Sequence, residues 1–341
     1  MTMRTSELTQ RLASSPLALG GAPLGNLFRA VSDEAAVMLV RRAYGAGVRY
    51  FDTAPHYGHG RSERRMGDAL RPFPRDEFLL STKVGRLLDP RAYAPRDQHG
   101  YVDTLPFVQR YDYSADGVRR SLDDSLQRLG LARVDVVYVH DIDRETHGDA
   151  HPRRLADALD GGLPALARLK ADGVIGAYGL GVNDVTICSE VLRHADLDVI
   201  LLAGRYTLAD QSALVDLFPE CERRGVPIVL GGPYNSGILA SGAVPGNGSA
   251  PYFNYAPAPR AIIERVAAIE RVCARFDVSL KAAALQFPRA HAAVATVLAG
   301  ARSIAELDEN LRMAAMAIPG EFWQALCESG LIARDAPLPG D

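Results

Sequence analysis

Cysteine is scarce in this chain of 341 residues, and its four copies, Cys188, Cys221, Cys273 and Cys327, are widely spaced. They make no C-x-x-C pair and have no histidines at zinc spacing, which excludes a disulfide scaffold and a structural zinc module. Free thiols in a reducing cytoplasm are the plain expectation. No apolar run approaches the roughly 18–20 residues that a membrane span needs. The first 15 residues are too polar for the apolar stretch of a secretory leader. Neither charge dominates: 38 basic residues face 41 acidic ones, a net of −3, which argues against a general nucleic-acid binder. Nucleotide-binding loops are missing as well. Gly20, Gly21 and Gly25 do not make G-x-G-x-x-G, the stretch 179–184 lacks the third glycine, and no G-x-x-x-x-G-K-[ST] occurs. An open doubly wound sheet thus loses its usual signature.

What is present is an ordinary globular mixture, 48% hydrophobic and 23% charged. Eight runs rich in aliphatic and β-branched residues predict strands at 17–22, 48–54, 78–84, 135–140, 175–181, 199–206, 227–232 and 295–299. Several are apolar throughout instead of alternating, as strands covered on both faces are. Helical patterns fill the gaps. Ser32 can cap a helix with Ala36, Leu39, Val40 and Ala43 on one face, ended by Gly45 and Gly47. Ser114 can cap another with Val118, Leu122, Leu126 and Leu129, ended by Gly130. Further helices are predicted at 152–171, 184–194, 210–224, 259–276, 280–291 and 303–317. Strict β/α alternation over eight repeats predicts one (β/α)8 TIM barrel, an α/β fold, spanning 1–341 as a single domain with its core at about 17–317. Long stretches follow the third strand (86–113) and the seventh (232–257) and have the composition of binding walls or lids.

In such a barrel, polar residues at strand C-termini converge on one bowl. Asp52, Lys83 and His140 end the second, third and fourth predicted strands, and Tyr57 follows five residues after Asp52. A charge in an apolar strand must be paired, and Asp52 beside Lys83 meets that demand. Such a pair alone can be a plain buried salt bridge, and a lone histidine is usually a packing residue. Four titratable groups at adjacent strand ends point instead to a site.

The run from Asp52 to Gly67, DTAPHYGHGRSERRMG, resembles the signature of the aldo-keto reductase superfamily. Thr82-Lys83, Asp135 to His140, Gly179 to Asn183, and Gly300-Ala-Arg-Ser followed by Glu309-Asn310 resemble its later landmarks, in order. The resemblance covers about 17–317 and implies a barrel, a nicotinamide cofactor and a catalytic set of Asp52, Tyr57, Lys83 and His140. A phenol is a poor base at neutral pH, and a nearby ammonium favours the phenolate. Tyr57 is therefore expected to be the general acid/base, Lys83 its pKa-lowering neighbour, Asp52 the holder of Lys83, and His140 the residue that orients the substrate oxygen.

The same resemblance implies that Asn183 binds the carboxamide, with Tyr206 and Arg205 as substitutes for a missing glutamine at Ala203. Gly232, Pro233, Tyr234, Ser236 and Gly237 would form the pyrophosphate loop. Gly300, Arg302, Ser303, Glu306, Glu309 and Asn310 would take the adenosine end. The cofactor is NAD or NADP; Glu306, which would repel a 2′-phosphate, favours NAD, while Arg302, able to bind that phosphate or to stack on adenine, pulls the other way. Stretches such as 203–207 and 140–143 look most like the bacterial aldose 1-dehydrogenases, a group including L-fucose, D-threo-aldose and L-galactose dehydrogenases, with pyridoxal 4-dehydrogenase a close neighbour. The expected reaction is oxidation of a free sugar at C1 to its lactone. The expected partner is a small sugar, met by His56, Asp141, Arg205 and Asn235, with Asp143 and Tyr234 nearby, and with no metal, nucleic acid or membrane. A monomer or homodimer is expected. The alternatives are pyridoxal oxidation, aldehyde or ketone reduction in the opposite direction, and a non-enzymatic barrel acting as a channel β-subunit does.

Overall fold

The computed structural model describes residues 3–15, 17–246 and 250–340; residues 247–249 of the predicted loop after the seventh strand lie outside them. Eight parallel strands close a barrel: β1 Ala18–Gly20, β2 Tyr50–Asp52, β3 Leu79–Val84, β4 Val136–His140, β5 Ala177–Val182, β6 Val199–Ala203, β7 Ile228–Gly231 and β8 Val294–Gly300. Each pairs with its neighbours in chain order, and β8 returns to β1 through Gly20 opposite Gly300. All eight predicted strands are present, in a (β/α)8 barrel. Register sets the site: Asp52 lies opposite Ser81, and Lys83 opposite Tyr138.

The helix starts follow local chemistry. Ser32 Oγ accepts from the Ala35 N–H and Ser114 Oγ from the Gly117 N–H, while Gly130 takes the left-handed conformation that ends Ala115–Leu129. The predicted helix at 210–224 begins only at Leu217. Thr207 and Asp210 side chains take the N–H groups of Ala209, Asp210 and Ser212, an arrangement that competes with helix. The core also reaches beyond 17–317. A helix at Thr5–Ala13 lays Leu8 and Leu12, with Met3, against the barrel's lower interior, among Tyr50, Leu79, Val136 and Tyr138. At the other terminus, the helix Gly320–Glu328 packs Phe322 against Phe276.

The stretch at 86–113 is more ordered than its composition predicts. Arg86–Pro90 and Phe107–Tyr111 form an antiparallel hairpin over the C-terminal face. The stretch at 232–257 holds the short helix Ile238–Ser241 and a two-residue ladder, Tyr252–Phe253 against Ala256–Pro257. Among the described residues no helix is long and apolar enough to cross a membrane.

Candidate active site

Asp52 and Lys83 are both fully buried. Lys83 Nζ donates to Asp52 Oδ2 at 2.6 Å and to the Thr53 carbonyl at 3.0 Å, while Ser81 Oγ donates to Asp52 Oδ1 at 2.6 Å. Because Ser81 gives its proton to Asp52, Tyr50 donates to Ser81 and Tyr138 to Tyr50, each at 2.9 Å. This chain of donors supports the carboxylate from beneath, as a buried charge requires. Burial nevertheless raises Asp52 above the ordinary carboxylate value, against the opposing pull of Lys83.

Lys83 Nζ also sits 4.6 Å from the centre of the Tyr57 ring, and the Tyr57 and His140 rings are 6.0 Å apart. All three line one cavity of about 430 Å³. The expected lowering of the Tyr57 phenol is not found. Burial, then the Asp52 charge, holds it well above its ordinary value. The reason is geometric: Lys83 faces the ring rather than the hydroxyl and spends two of its N–H bonds on Asp52 and Thr53. Tyr57 Oη has no hydrogen-bond partner among the described residues, which leaves it available to a substrate oxygen. Burial drives His140 the other way, well below its ordinary value, with Arg86, Lys83 and His56 adding to the effect. It is a neutral imidazole.

The signature run has a structural logic. Thr53 Oγ1 donates to Ser62 Oγ at 2.8 Å, and Ser62 Oγ to the Gly21 carbonyl at 2.7 Å. Glu63 accepts from Thr82 at 2.7 Å and from Arg128 at 2.5 Å. His59, fully buried, bonds the Phe107 carbonyl at 2.7 Å. The run thereby ties the turn carrying Tyr57 to β3 and to the hairpin.

The candidate substrate groups divide. His56 lines the cavity and meets Gln109 Nε2 at 2.8 Å. Asp141 lines it too, ion-paired with the buried Arg86 and 3.4 Å from His140 Nε2. Arg205 lines it but is committed to the Asn183 carbonyl at 2.6 Å and to Asp210 at 3.2 Å. Asn235 lines the cavity while serving as a loop clamp, accepting from Thr207 and donating to the Gly204 carbonyl at 3.0 Å. Its amide is largely spent on the protein. Sequence reasoning missed Arg86 and Gln109, and also the aromatic wall of Phe28, His99, Tyr101 and Tyr255. Only the composition of the long loops, which carry His99, Tyr101 and Tyr255, hinted at that wall.

The candidate cofactor groups divide as well. Asn183, Gly232 and Ser236 line the cavity. Tyr206 does not. It is fully buried behind the barrel against Phe218, Phe287 and His291, because Gly204, at φ 70°, turns the chain where the predicted strand would have continued. Pro233, Tyr234, Gly237, Gly300, Arg302, Ser303, Glu306, Glu309 and Asn310 lie outside the lining. Tyr234 Oη donates to Asn310 Oδ1 at 2.8 Å, and Asn310 Nδ2 to the Gly300 carbonyl at 3.2 Å, fastening the loop after β7 to the segment after β8. Glu309 pairs with Lys281 at 2.7 Å, and Arg302 with Glu306 at 3.0 Å.

These residues fit a nicotinamide dinucleotide. The Asn183 amide has no partner among the described residues and faces the cavity. Gly237, at φ 112°, leaves its surroundings open to a close ligand. Ser303 caps the helix Ile304–Ala314, whose N-terminal N–H groups suit a phosphate. Among the described residues no cluster of His, Cys, Asp or Glu could hold a metal.

Residues 16–329 match the model described as the aldo/keto reductase family. Pyridoxal 4-dehydrogenase of Microbacterium luteolum is 43% identical over 332 residues, covering 94% of this chain and 96% of the relative. D-threo-aldose 1-dehydrogenase of a Pseudomonas species is 40% identical, over 94% and 95%. L-galactose dehydrogenase of Arabidopsis thaliana is 30% identical, over 88% and 84%. Among solved structures, a glycerol dehydrogenase of Gluconobacter oxydans superposes with a TM-score of 0.71 at 22% identity, covering 96% of this chain and 94% of that one, a likeness of fold.

Proposed function

Since the chain belongs to the aldo/keto reductase family, and is an NAD(P)-dependent oxidoreductase acting on CH–OH groups, we propose that it oxidises the anomeric carbon of a free aldose, in its cyclic form, to the lactone. The observation that carries this reading is the meeting of Tyr57, Lys83 and His140 in one cavity whose wall is both polar and aromatic. A pyranose presents hydroxyls at its edge and C–H groups on its faces, and such a wall suits both.

The bound dinucleotide supplies the hydride acceptor. The protein's residues manage a proton. Tyr57 Oη removes it from the anomeric hydroxyl as that carbon is oxidised, and His140 donates a hydrogen bond to the same oxygen. Asp52 fixes Lys83 against the Tyr57 ring, 4.6 Å from its centre, and the buried phenol must give up its proton before the oxidative cycle begins. Asn183 and the loop after β7 hold the cofactor, with Arg205 supporting Asn183 through its carbonyl. Glu306, beside the exposed Arg302, would repel a 2′-phosphate and could accept hydrogen bonds from a ribose diol, which favours NAD.

Pyridoxal is the second reading. Its internal hemiacetal offers a comparable carbon, and Tyr101 and Tyr255 offer faces for its ring. One measurement separates the two: the absorbance of reduced nicotinamide on incubation with L-fucose-like sugars, D-threo-aldoses or pyridoxal, each with NAD and with NADP. Turnover of sugars with NAD is expected. Turnover of pyridoxal alone would select the second reading, and reduction of bulky aldehydes with all of these inert would overturn both.

A further inference from the structure

His140 and Arg86 compete for one oxygen. Arg86, buried at the start of the hairpin, places Nη2 on Asp141 Oδ2, the atom that lies 3.4 Å from His140 Nε2. Its Nη1 donates to Gln109 Oε1 at 2.8 Å and lies 3.1 Å from His56 Nδ1. Asp141 itself is held in the left-handed region, at φ 44°, a conformation that costs energy and that the surrounding structure must enforce. Tyr113 Oη enforces it by donating to the His140 carbonyl at 2.7 Å and reaching the Asp141 carbonyl at 3.1 Å.

On this geometry, and resting on the reading above, we propose that Arg86 is a positioning residue that keeps His140 a neutral hydrogen-bond donor. A guanidinium bond to a carboxylate is charge-assisted and dominates the longer imidazole contact. Arg86 thus satisfies Asp141, and the His140 N–H stays available to the substrate oxygen. Without Arg86, a buried carboxylate would stand unpaired beside an imidazole. The imidazole would then take up a proton from solvent, forming an imidazolium–carboxylate pair, and its N–H would turn from the substrate.

The other groups facing His140 do not replace Arg86. Lys83 on β3 is committed to Asp52, and His56 and Tyr57 after β2 are uncharged. His147 bonds Tyr113 Oη at 2.9 Å and the Asp141 backbone, packs against Tyr111, and is itself held below its ordinary value chiefly by burial. Removing Arg86 costs Gln109 Oε1 one donor but leaves the bond between Gln109 Nε2 and His56 Nδ1 in place.

The test is a pH titration of the histidine ring nitrogens by NMR in the ligand-free protein, with the His140 signals assigned by their loss in His140→Asn. In the parent His140 should not titrate through the neutral range. In Arg86→Met it should, and kcat should fall by about tenfold or more. In Arg86→Met/Asp141→Asn the titration should vanish again, because asparagine tolerates the left-handed backbone and carries no charge. Arg86→Gln provides the same test should Arg86→Met fail to fold. A His140 that stays silent in the single variants, or titrates equally in the double variant, overturns the proposal. Because the readout needs no substrate, it stands or falls separately from the choice between sugar and pyridoxal.

Discussion

Burial moves Tyr57 up and His140 down, and both moves end in an uncharged side chain at neutral pH. The bowl therefore offers two neutral donors to an oxygen, an arrangement ready to protonate a carbonyl. Oxidation needs the phenolate instead. Its rate should climb as pH rises through the alkaline range, while the reverse reduction should not. Tyr57→Phe isolates the hydroxyl. The ring keeps its place over Lys83, and Tyr57 Oη makes no protein hydrogen bond among the described residues that could be lost. Melting temperature and dinucleotide affinity should stay at parent values while kcat falls by about 10²–10⁴, the usual worth of a general acid/base. Stopped-flow turnover beside calorimetric cofactor binding checks this, and a variant retaining most of its kcat removes Tyr57 from the chemistry.

The turn that carries Tyr57 is held by two glycines in backbone contact. A Cβ on Gly25 would meet the Tyr57 carbonyl carbon at 2.4 Å and the Gly58 nitrogen at 2.7 Å, and one on Gly58 would meet the Gly25 oxygen at 2.3 Å. Nothing flexible lies between the two loops to yield. Gly25→Ala should therefore destabilise by about 1–3 kcal/mol, as overpacking does, and should lower kcat by shifting Tyr57. Gly45→Ala, in the helix Asp33–Gly45 where a Cβ would meet nothing within 4 Å, is the control: it should leave kcat unchanged and stabilise by up to about 1 kcal/mol. Thermal melts and kcat on both variants decide; equal effects would mean that the contact between Gly25 and Gly58 does not set the site. The same elements show what the sequence revealed. The eight strands were legible because burial on both faces leaves apolar runs, and Asp52, Lys83 and His140 because a polar group ending such a run demands a reason. The hairpin was not, since Arg86–Pro90 and Phe107–Tyr111 are short and pair across a long loop rich in Arg, Asp and Pro. Arg86 drew no notice because its partner, Asp141, follows another strand. Tyr206 read as a bowl residue because the turn at Gly204 leaves no mark on hydrophobic pattern. The Tyr57 phenol was misjudged because desolvation depends on everything packed around it.

Across the whole molecule, burial suppresses charge in one systematic way, and stability should follow pH accordingly. His56, His59, His99, His140, His147 and His291 all lie below their ordinary value, each chiefly through burial. As pH falls through about 6.5 the unfolded chain protonates these imidazoles while the folded chain does not. The unfolded state then binds more protons, so stability must fall with pH there. Asp52 and Asp141, raised by burial, act in the opposite sense, but two carboxyls oppose six imidazoles. At the alkaline end the sign reverses. Burial raises Cys188, pushes Cys221 and Cys273 up to about 12, and raises Tyr57, Tyr101, Tyr113 and Tyr138. Above the ordinary thiol value of about 8.5 the unfolded chain sheds protons that the folded chain keeps, and stability falls again. Melting temperature at constant ionic strength should therefore peak between about pH 7 and 8.5 and decline on both sides. A melting temperature that holds steady from neutrality down to about pH 5.5 would mean that these histidines titrate alike in the folded and unfolded chains, and that the neutral bowl inferred for His140 is not how the protein holds its site.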